Sequence, residues 1–496
     1  MSVPFHPRNK PKYSFEISEK NVRDLFSDCG DFELRSVWPG GSRRSGICVC
    51  WLDGLVSGKD LSRDVLRPLA QWAPAPELSD AELARALEHG AVWSCTVRRC
   101  ESADALVQAV TGGSCAVIFD SLSAALCFEV RTDNTRSVAA PTVEKTVKGG
   151  KDAFVEVLRT NTALVRRRLQ SPSLKLKQTT VGRKSATAAA LVYYDGVADP
   201  ALVAEALRRL EAIDIDGLCS AGAVEQLLAD RPGSPFPQLL HTERPDHFAA
   251  ELLDGRVGLL VDGLPLGFLL PATLAQFMKV SEDRSQYFLL ASGLTLLRWI
   301  AALLSVLFPA LLAAVSMYHQ EMIPTKLLLS MIEAKQKVPF SEATEVLTML
   351  VAFELLMEAG IRLPDPVGDT VSIIGALIVG QSAVEARIVS PITVIVVATT
   401  AICGFTQPSR DLGAALRLVR FALLLLAIFF GLFGIAVGMA LLVWYLCTLE
   451  CFGVAYTSPL AEAGLVSALG RVLQAPLRQI KLRDPALHTP DRRNQK

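Results

Sequence analysis

The stretch PDPVGDTVSIIGALIVGQSAVEARIVSPITVIVVATTAICGFTQPS, residues 364–409, decides what kind of fold this chain has. It is apolar enough for a lipid bilayer, yet it carries Asp369, Gln381, Glu385 and Arg387 between small residues. Polar groups at membrane depth face a bundle interior or a watery path, because leaving them in hydrocarbon is costly. The stretch therefore predicts a membrane segment that forms either a conduit or a packing seam between helices.

Composition divides the chain into a soluble part and a membrane part. Its 496 residues include 50 basic and 50 acidic side chains, a balance that gives no reason to expect nucleic acid as a partner. Residues 1–286 are rich in charge, whereas residues 287–456 carry almost all the long apolar runs. We therefore predict a soluble region followed by a membrane domain.

The N-terminus and the cysteines favour a cytoplasmic location for the soluble region. The opening MSVPFHPRNKPKYSFEISEKN has basic residues but no apolar core, so we expect no secretory signal. Eleven scattered cysteines fit reduced thiols better than disulfides. Cys48 and Cys50 alternate along a strand and should share a face, while Cys95 and Cys100 are too loosely spaced for a zinc knuckle.

The soluble region is an internal duplication of one α/β unit. The strand-like runs ICVCWLDG and AALVYYDG end in Asp-Gly, at Asp53 and Asp195. Later in each copy a helix, a glycine and an apolar strand lead to Asp120 and to Asp262. The two aspartates are 67 residues apart in both copies, and the copies are offset by 142 residues. The fold class predicted is thus an α/β duplicated cytoplasmic domain followed by an all-α polytopic membrane domain.

Two interpretations of the four aspartates are weighed. Catalytic acids or metal ligands would need to converge beside a His, a Cys or a phosphate loop at fixed spacing, and the sequence has none there. Turn and helix-cap roles are favoured instead. We predict no enzyme activity, no cofactor and no metal site.

The loop PGSPFPQLLHTERPDH, residues 232–247, contains a second group of candidate metal ligands. His241, Glu243, Asp246 and His247 have the right chemistry, but their spacing matches no helix or strand face. A rigid, hydrogen-bonded loop is favoured.

A basic helix is expected between the copies. Asp152 is a candidate cap for a helix that runs to about Gln170 and ends in Arg166, Arg167 and Arg168. A phosphate or lipid site is one interpretation of these arginines, and a solvated face or a salt bridge between domains is the favoured one. The predicted segments are 1–140 and 189–286 (α/β subdomains), 141–188 (basic linker), 287–456 (transmembrane domain) and 457–496 (cytoplasmic basic tail).

The membrane half begins with a span at Tyr287–Val315, in which Arg298 should snorkel or pair with a carboxylate. The glutamate-rich helix Ser341–Gly360 begins with a capping box closed by Glu345. Glu354 and Glu358 share a face of it, and either line a cation path or lie at the membrane interface.

A short small-residue helix at Val367–Ala386 and apolar segments at Val389–Ile402 and Phe421–Leu446 complete the membrane half. The positive-inside rule puts the basic loop around Arg410 and the basic tail on the cytoplasmic side. Both can be inside only if the last long segment turns back or another is re-entrant, so the number of crossings stays open.

The chain resembles the A subunit of GerA-type spore germinant receptors, including the stage V sporulation homologue. The resemblance rests on MYHQEMIPTKLLLS, on RLPDPVGDTVSIIGALIVGQSAVEARIVSPITVIVVATTAI, on LRLVRF and FGLFGI, and in the soluble region on NTALVRRRL, RPGSPFPQ and TERPDHFAAELLDGRVGLLVDG. It extends from about Asn21 to about Pro476. Two positions depart from the family pattern: Arg387 stands where a small residue, often Gly, is usual, and Lys326 replaces a Pro.

The resemblance implies a polytopic protein of the spore's inner membrane with its N-terminal region in the cytoplasm. It implies a homo-oligomer in the membrane lipid whose helices form a nutrient-gated ion channel, acting with a transporter-like B subunit and a lipoprotein C subunit. A stage V homologue would be an accessory channel. The candidate pore or gating residues are Glu354, Glu358, Ser372, Gly375, Gly380, Gln381 and Glu385.

A secondary transporter is the alternative from another class. Breaks around Pro364 and Pro391 are typical of the discontinuous helices that surround a substrate site. The membrane half lacks an inverted repeat, however, and its spans are few. We therefore favour the channel.

Overall fold

Two compact units make up the chain. The computed structural model describes residues 12–38, 47–72, 79–89, 95–132, 148–336, 338–362, 380–460 and 481–494, with single positions between 141 and 146 and between 470 and 479. The sheet unit comprises Met1–Ala229, Leu239–Pro271 and Ile480–Lys496, and the helical unit comprises Asp230–Gln238 and Ala272–Gln479. The five segments predicted from the sequence remain a prediction beside this division.

The sheet unit contains two antiparallel sheets with one strand order. The first has the order β1-β2-β4-β5-β3, with strands β1 (Phe32–Val37), β2 (Ile47–Leu52), β3 (Val97–Cys100), β4 (Ser114–Phe119) and β5 (Ala124–Glu129). The second has the order β6-β7-β9-β10-β8, with strands β6 (Leu174–Val181), β7 (Thr187–Tyr194), β8 (Leu240–Thr242), β9 (Val257–Val261) and β10 (Gly267–Leu270). Strand for strand the two orders are the same, which is the arrangement that an internal duplication predicts.

Helices accompany both sheets. The first copy carries α1 (Glu19–Leu25), α2 (Gly58–Asp60), a π-helical turn (Leu61–Leu66), α3 (Arg67–Gln71), α4 (Asp80–Glu88) and α5 (Ala103–Thr111). The second carries α6 (Leu158–Arg168), α7 (Pro200–Glu211), α8 (Ala221–Leu228) and α9 (Pro245–Leu253).

Alternation along the central strands divides the core of the first copy. In β2, Val49 and Trp51 face one apolar cluster while Cys48 and Cys50 face the other, so the two thiols do share a face. Burial raises the pKa of the Cys48 thiol to about 12 and raises that of Cys50 as well. Such thiols stay protonated, and all eleven cysteines of the chain are free.

The landmark aspartates have the turn and cap roles predicted for them. Gly54, Gly196 and Gly263, which follow Asp53, Asp195 and Asp262, have φ values of +85°, +78° and +82°, a region that favours glycine. Asp120 Oδ1 accepts the N–H of Glu19 at 2.8 Å, and Asp262 Oδ1 accepts the N–H of Leu158 at 2.9 Å. Each of these two carboxylates therefore caps the first helix of its own copy.

A buried ion pair joins the two copies within the sheet unit. Arg166 of α6 is fully buried, and its Nε and Nη2 each lie 2.8 Å from a carboxylate oxygen of Asp31, which is 4 % exposed. Arg167 donates to the carbonyl of Thr132. The interpretation of the arginine run as a salt-bridge site between domains is thus confirmed at Arg166.

One cap prediction for the same helix is wrong. Helix α6 begins at Leu158, six residues after Asp152, so that carboxylate is too far along the chain to cap it. Asp152 instead pairs with Arg168 near the other end of the helix.

The proline-rich loop and the TERPDH segment are held by internal hydrogen bonds. In the helical unit, Gln238 bonds both backbone groups of Arg231, at 3.1 and 2.7 Å. In the sheet unit, buried Arg244 donates to Asp246 at 3.0 and 2.6 Å and to Thr146 at 2.6 Å. These bonds use Asp246 as the partner of an arginine, in agreement with the rigid-loop interpretation.

The described part of the C-terminal tail folds onto the second copy of the sheet unit. Arg483 Nε donates to the carbonyl of Leu253, at the end of α9, at 2.8 Å. Ala486 and Leu487 are buried, and a Cβ on Gly255 would lie 2.3 Å from the Thr489 methyl. The second residue after α9, Gly255, must therefore be a glycine for the tail to lie there.

The helical unit consists of α10 (Leu274–Phe277), α11 (Phe288–Tyr318), α12 (Thr325–Lys335), α13 (Glu342–Arg362), α14 (380–385), α15 (Pro391–Phe405), α16 (Arg410–Thr448) and a small pair of strands, β11 (Glu450–Cys451) and β12 (Val454–Ala455). Within the described residues, α11 and α16 are long and apolar enough to cross a membrane. Large apolar side chains remain exposed on them, among them Leu289, Phe429, Phe433 and Trp444.

Candidate functional site

The structure describes part of the predicted small-residue helix. Ser372 and Gly375 lie outside the described residues. Gly380, the first described residue of α14, is buried, and a Cβ there would lie 3.5 Å from a side chain of α15, so α15 packs against this small residue. Gln381 and Glu385 of the same helix are exposed in the chain.

The two glutamates predicted to share a face of α13 differ in their surroundings. Glu354 is half-buried, and its Oε1 lies 3.5 Å from Nε of Arg417 on α16. Glu358, one turn further on, is exposed. Any cation approaching Glu354 would therefore meet a guanidinium already beside it.

Two contacts define how α16 runs beside α11. Arg420 Nε donates to the carbonyl of Ser305 at 2.6 Å, and the Tyr318 hydroxyl donates to the carbonyl of Ile428 at 2.6 Å. Because the residue numbers rise together on both helices, the first arm of α16 is parallel to α11.

Arg420 bonds the carbonyl that a proline leaves without a partner. Pro309 lies inside α11 and has no N–H, so the carbonyl of Ser305, four residues earlier, lacks its helical donor. The Arg420 side chain is 4 % exposed and supplies the missing hydrogen bond from the neighbouring helix. The sequence separates Pro309 from Arg420 by more than a hundred positions, so only the fold joins them.

Helix α16 reverses direction at Gly431, whose φ of +59° and ψ of −142° are not helical. A Cβ on Gly438 would lie 2.4 Å from Cδ2 of Leu423. Fifteen residues of straight helix would span about 22 Å, so the chain must fold back between them. The turning-back alternative for the last long segment is therefore the one that the structure adopts.

The two ends of the helical unit meet. The N–H of Leu274 donates to the carbonyl of Tyr456 at 2.8 Å, and the N–H of Phe452 donates to Asp230 Oδ2 at 2.6 Å. Cys451 Sγ donates to the carbonyl of Gln238 at 2.8 Å. The segment that precedes α11 and the segment that follows α16 thus lie side by side.

Of the two alternatives predicted for Arg298, snorkelling or pairing with a carboxylate, the structure shows the pair. Its Nη1 and Nη2 lie 2.6 and 2.9 Å from the oxygens of Asp283, which is 5 % exposed, and Nη1 also donates to the carbonyl of Met278. The bidentate geometry satisfies both charges near the start of α11.

A buried carboxylate pair lies where α13 meets the N-terminus of α15. Glu342 is 3 % exposed and accepts from Lys335 Nζ at 2.8 Å. Glu345 is 1 % exposed, and its Oε2 accepts the N–H of Ser390 at 2.8 Å. The Thr393 hydroxyl lies 3.3 Å from an oxygen of each glutamate. This is a polar cluster within an otherwise apolar set of helices.

The capping-box prediction at this helix is half right. Ser341 Oγ accepts the N–H of Thr344 at 3.3 Å, as a cap should. Glu345 does not close the box, because it lies four residues after the cap and points to the neighbouring helix. A glutamate one position off the capping spacing was the signal in the sequence that this side chain has another partner.

The departure at Arg387 has a geometric counterpart. Its φ is +59°, in the left-handed region where glycine is favoured. A small residue, often glycine, is what the related sequences were expected to have at this position.

Comparison with known proteins places the chain among germination proteins. Residues 20–486 match the family model described as the Bacillus/Clostridium GerA spore germination protein. Spore germination protein KA of Bacillus subtilis (strain 168) is 36% identical over 461 residues, which cover 91% of this chain and 84% of that protein. Spore germination protein GerLA of Bacillus cereus is 32% identical over 477 residues, which cover 96% of each.

One solved structure is also similar. The crystal structure of the N-terminal domain of the A subunit of the Bacillus megaterium spore germinant receptor GerK3 has a TM-score of 0.40 and 28% identity, covering 51% of this chain and 93% of that chain.

Proposed function

This chain belongs to the Bacillus/Clostridium GerA spore germination protein family, and from that premise we propose that it is the channel-forming A subunit of a germinant receptor. Its helical unit would form, with further copies of the chain, an oligomeric ion channel in the spore's inner membrane. Nutrient binding to the receptor would open it and release cations during germination.

Buried ionisable side chains in the helical unit are the observation that carries the channel proposal. Glu342, Glu345 and Arg420 are each less than 5 % exposed between helices whose outward side chains are apolar. Ionisable groups at membrane depth are costly and mark ion or proton pathways. The exposed Gln381 and Glu385 of α14 would face the pore once copies assemble around it.

The contact between the two ends of the helical unit supports a topology with an even number of membrane crossings. If α11 enters and α16 leaves at one membrane surface, the chain crosses an even number of times. The basic residues near Arg410 would lie at the same surface, as the positive-inside rule prefers. The sheet unit would then lie in the cytoplasm.

The partners proposed are those of the receptor A subunits. A transporter-like B subunit would hold the nutrient, and a C-subunit lipoprotein would complete the receptor. The sheet unit, with its large folded surface, would mediate assembly and not catalysis.

Cation efflux from germinating spores tests the channel. Gln381→Leu should change the rate of efflux of monovalent cations at normal protein levels, because it replaces a polar group of the proposed pore by an apolar one. Gln71→Leu, at an exposed glutamine of the sheet unit, is the matched control and should leave efflux unchanged. Unchanged efflux in both variants would exclude Gln381 from the pore.

A secondary transporter is kept as the second candidate because α16 is broken at Gly431. Broken helices are typical of substrate sites in carriers. Purified chain in planar bilayers and in vesicles separates the two: unitary current steps support the channel, and saturable counterflow of a labelled solute supports the carrier.

A further inference from the structure

The carboxylate pair between α13 and α15 has more negative charge than its surroundings balance. Lys335 of α12, 39 % exposed, pairs with Glu342. Glu345 is 1 % exposed and contacts uncharged groups of α15, the backbone N–H of Ser390 and the hydroxyl of Thr393. One ammonium thus faces two buried carboxyl groups that lie three residues apart on one helix.

Counting protons in the cluster leads to the same conclusion. The Thr393 hydroxyl oxygen lies 2.9 Å from Ser390 Oγ, 3.3 Å from Glu342 Oε1 and 3.3 Å from Glu345 Oε2. The Thr393 hydroxyl has one proton, so it donates fully to one of the two glutamates or divides that proton between both at 3.3 Å, which is longer than an ordinary O–H···O bond. A proton on one carboxyl group allows each contact to be a separate hydrogen bond, and Glu342 already faces the ammonium of Lys335.

The surroundings of the second oxygen of Glu345 also favour the neutral acid. Its Oε1 is buried and has no hydrogen-bond partner among the described residues. An ionised carboxylate in that position would leave negative charge on a buried oxygen without a hydrogen bond. Burying the carbonyl oxygen of a neutral acid costs far less free energy. The positive end of α15 and the N–H of Ser390, 2.8 Å from Oε2, favour a charge here, so the neutral form depends on the neighbouring carboxyl group of Glu342 and on the burial of Oε1.

We propose that Glu345 is a proton-binding site: its carboxyl group is protonated in the folded chain near neutral pH and donates to the Thr393 hydroxyl. The bound proton stabilises the contact between α13 and the N-terminus of α15. Loss of the proton sets two buried negative charges against one ammonium and loosens that junction. The inference does not depend on the channel proposal.

A small cavity provides the route for the proton. It has a volume of about 50 Å³ and is lined by Lys335, Glu342 and Ser390 together with the uncharged polar groups of Ser316 and Gln320. A water molecule needs only about 10–15 Å³ of such space. Water in the cavity can therefore exchange protons with Glu342, which lines it. Glu345 does not line the cavity and is reached through the Thr393 hydroxyl, which contacts both glutamates.

Thermal unfolding of the full chain in detergent, followed between about pH 5 and pH 9, tests the site. A group that binds a proton when folded and releases it when unfolded makes the protein less stable as pH rises, by about tenfold in the unfolding equilibrium constant per pH unit. Glu345→Gln keeps the shape and the neutral charge. We expect it to match the wild type at the acidic end and to have the higher Tm at the basic end.

Glu333→Gln, at an exposed glutamate of α12, is the matched control and should follow the wild-type pH dependence. A Tm difference between wild type and Glu345→Gln that is the same at every pH would overturn the proposal. So would stabilisation of the wild type by potassium or sodium that Glu345→Gln loses, because that outcome assigns the site to a metal cation.

Infrared spectroscopy provides a reading that does not depend on the folding of Glu345→Gln. The wild type should show the C=O band of a protonated carboxylic acid at neutral pH, and Thr393→Val should shift this band because the acid loses its acceptor. Absence of a protonated-acid band in the wild type, or a band that Thr393→Val leaves in place, would count against Glu345.

Discussion

The Tyr318 hydroxyl donates to the carbonyl oxygen of Ile428 at 2.6 Å and lies 3.4 Å from that of Phe429. The reversal at Gly431 ends the first arm of α16, so these carbonyls lose the N–H donors that would follow in a continuous helix. The end of α11 thus closes the broken end of α16. The same ring fills the space where a Cβ on Gly431 would lie, at 3.1–3.3 Å.

Removing the Tyr318 hydroxyl should weaken this junction. Tyr318→Phe keeps the ring and loses the bond to Ile428, so we expect a loss of about 1 kcal/mol. Gly431→Ala should cost more, about 1–2 kcal/mol for the left-handed backbone alone. The Tm of the full chain in detergent measures both, with Tyr287→Phe, at an 85 % exposed tyrosine, as the control. Equal Tm values for Tyr318→Phe and wild type would show that the carbonyls find other donors.

Removing one partner of the buried Arg166–Asp31 pair should destabilise the protein more than removing both. Arg166→Met leaves the Asp31 carboxylate buried without its guanidinium, which typically costs about 3–5 kcal/mol. The double variant Asp31→Leu with Arg166→Met should recover much of that loss, because no uncompensated charge remains. Denaturant unfolding compares Arg166→Met, Asp31→Leu and the double variant with wild type. Arg167→Met is the control, because its guanidinium bonds only a backbone carbonyl in the described structure. Additive losses in the double variant would contradict the pairing.

The duplicated cap aspartates should behave alike. Asp120→Ala and Asp262→Ala each remove the acceptor at the first N–H of a helix, which costs about 0.5–2 kcal/mol. The two sites are in separate copies, so the double variant should lose the sum. Asp195→Ala, at an exposed turn, is the control and should stay within about 0.5 kcal/mol. A loss at Asp195 as large as at the caps would argue against the assignment.

Acid should weaken the TERPDH segment through Asp246. Burial raises the pKa of this carboxyl, but the hydrogen bonds and charge of Arg244 outweigh burial and hold it below its usual range. A depressed acid stabilises the fold above the pKa of the unfolded chain, about 3.9, and this stabilisation is lost as pH falls toward the folded value. Asp246→Asn should be less stable than wild type at neutral pH and approach it in acid. Parallel curves at all pH values would contradict this linkage.

Replacing Arg387 by glycine should stabilise the chain. The residue has a φ of +59°, where a side chain costs about 1–2 kcal/mol relative to glycine. Arg387→Ala removes the charge and keeps the Cβ, so a comparison of the two variants isolates the backbone effect. We expect Arg387→Gly to have the higher Tm. A higher Tm for Arg387→Ala would mean that the turn needs something other than backbone freedom.

Much of the fold of the sheet unit could be predicted from local signals in the sequence. Equal spacing of Asp53–Asp120 and Asp195–Asp262 predicted two copies, because each copy repeats the same strand ends and turns. Alternation predicted that Cys48 and Cys50 share a face. The strand order within each sheet could not be predicted, because it depends on which strands pair across many residues.

The helical unit shows where sequence reasoning stops. Arg298 was predicted to find a carboxylate, but its partner Asp283 was not identified, since any of several acids could reach it. Glu345 was assigned to the nearest local motif, the cap at Ser341. The junction with Ser390 lies 45 residues away, and no spacing rule relates the two.

By itself, the sequence determined the family, the duplication and the division into charged and apolar halves, because these follow from residue types and from periods of a few residues. Only the tertiary structure decided that α16 folds back, that Arg420 serves the carbonyl below Pro309 and that Glu345 shares a hydroxyl with Glu342. Each of these depends on which residues of two neighbouring helices lie side by side. Packing of many side chains together sets that alignment, and no local sequence pattern contains it.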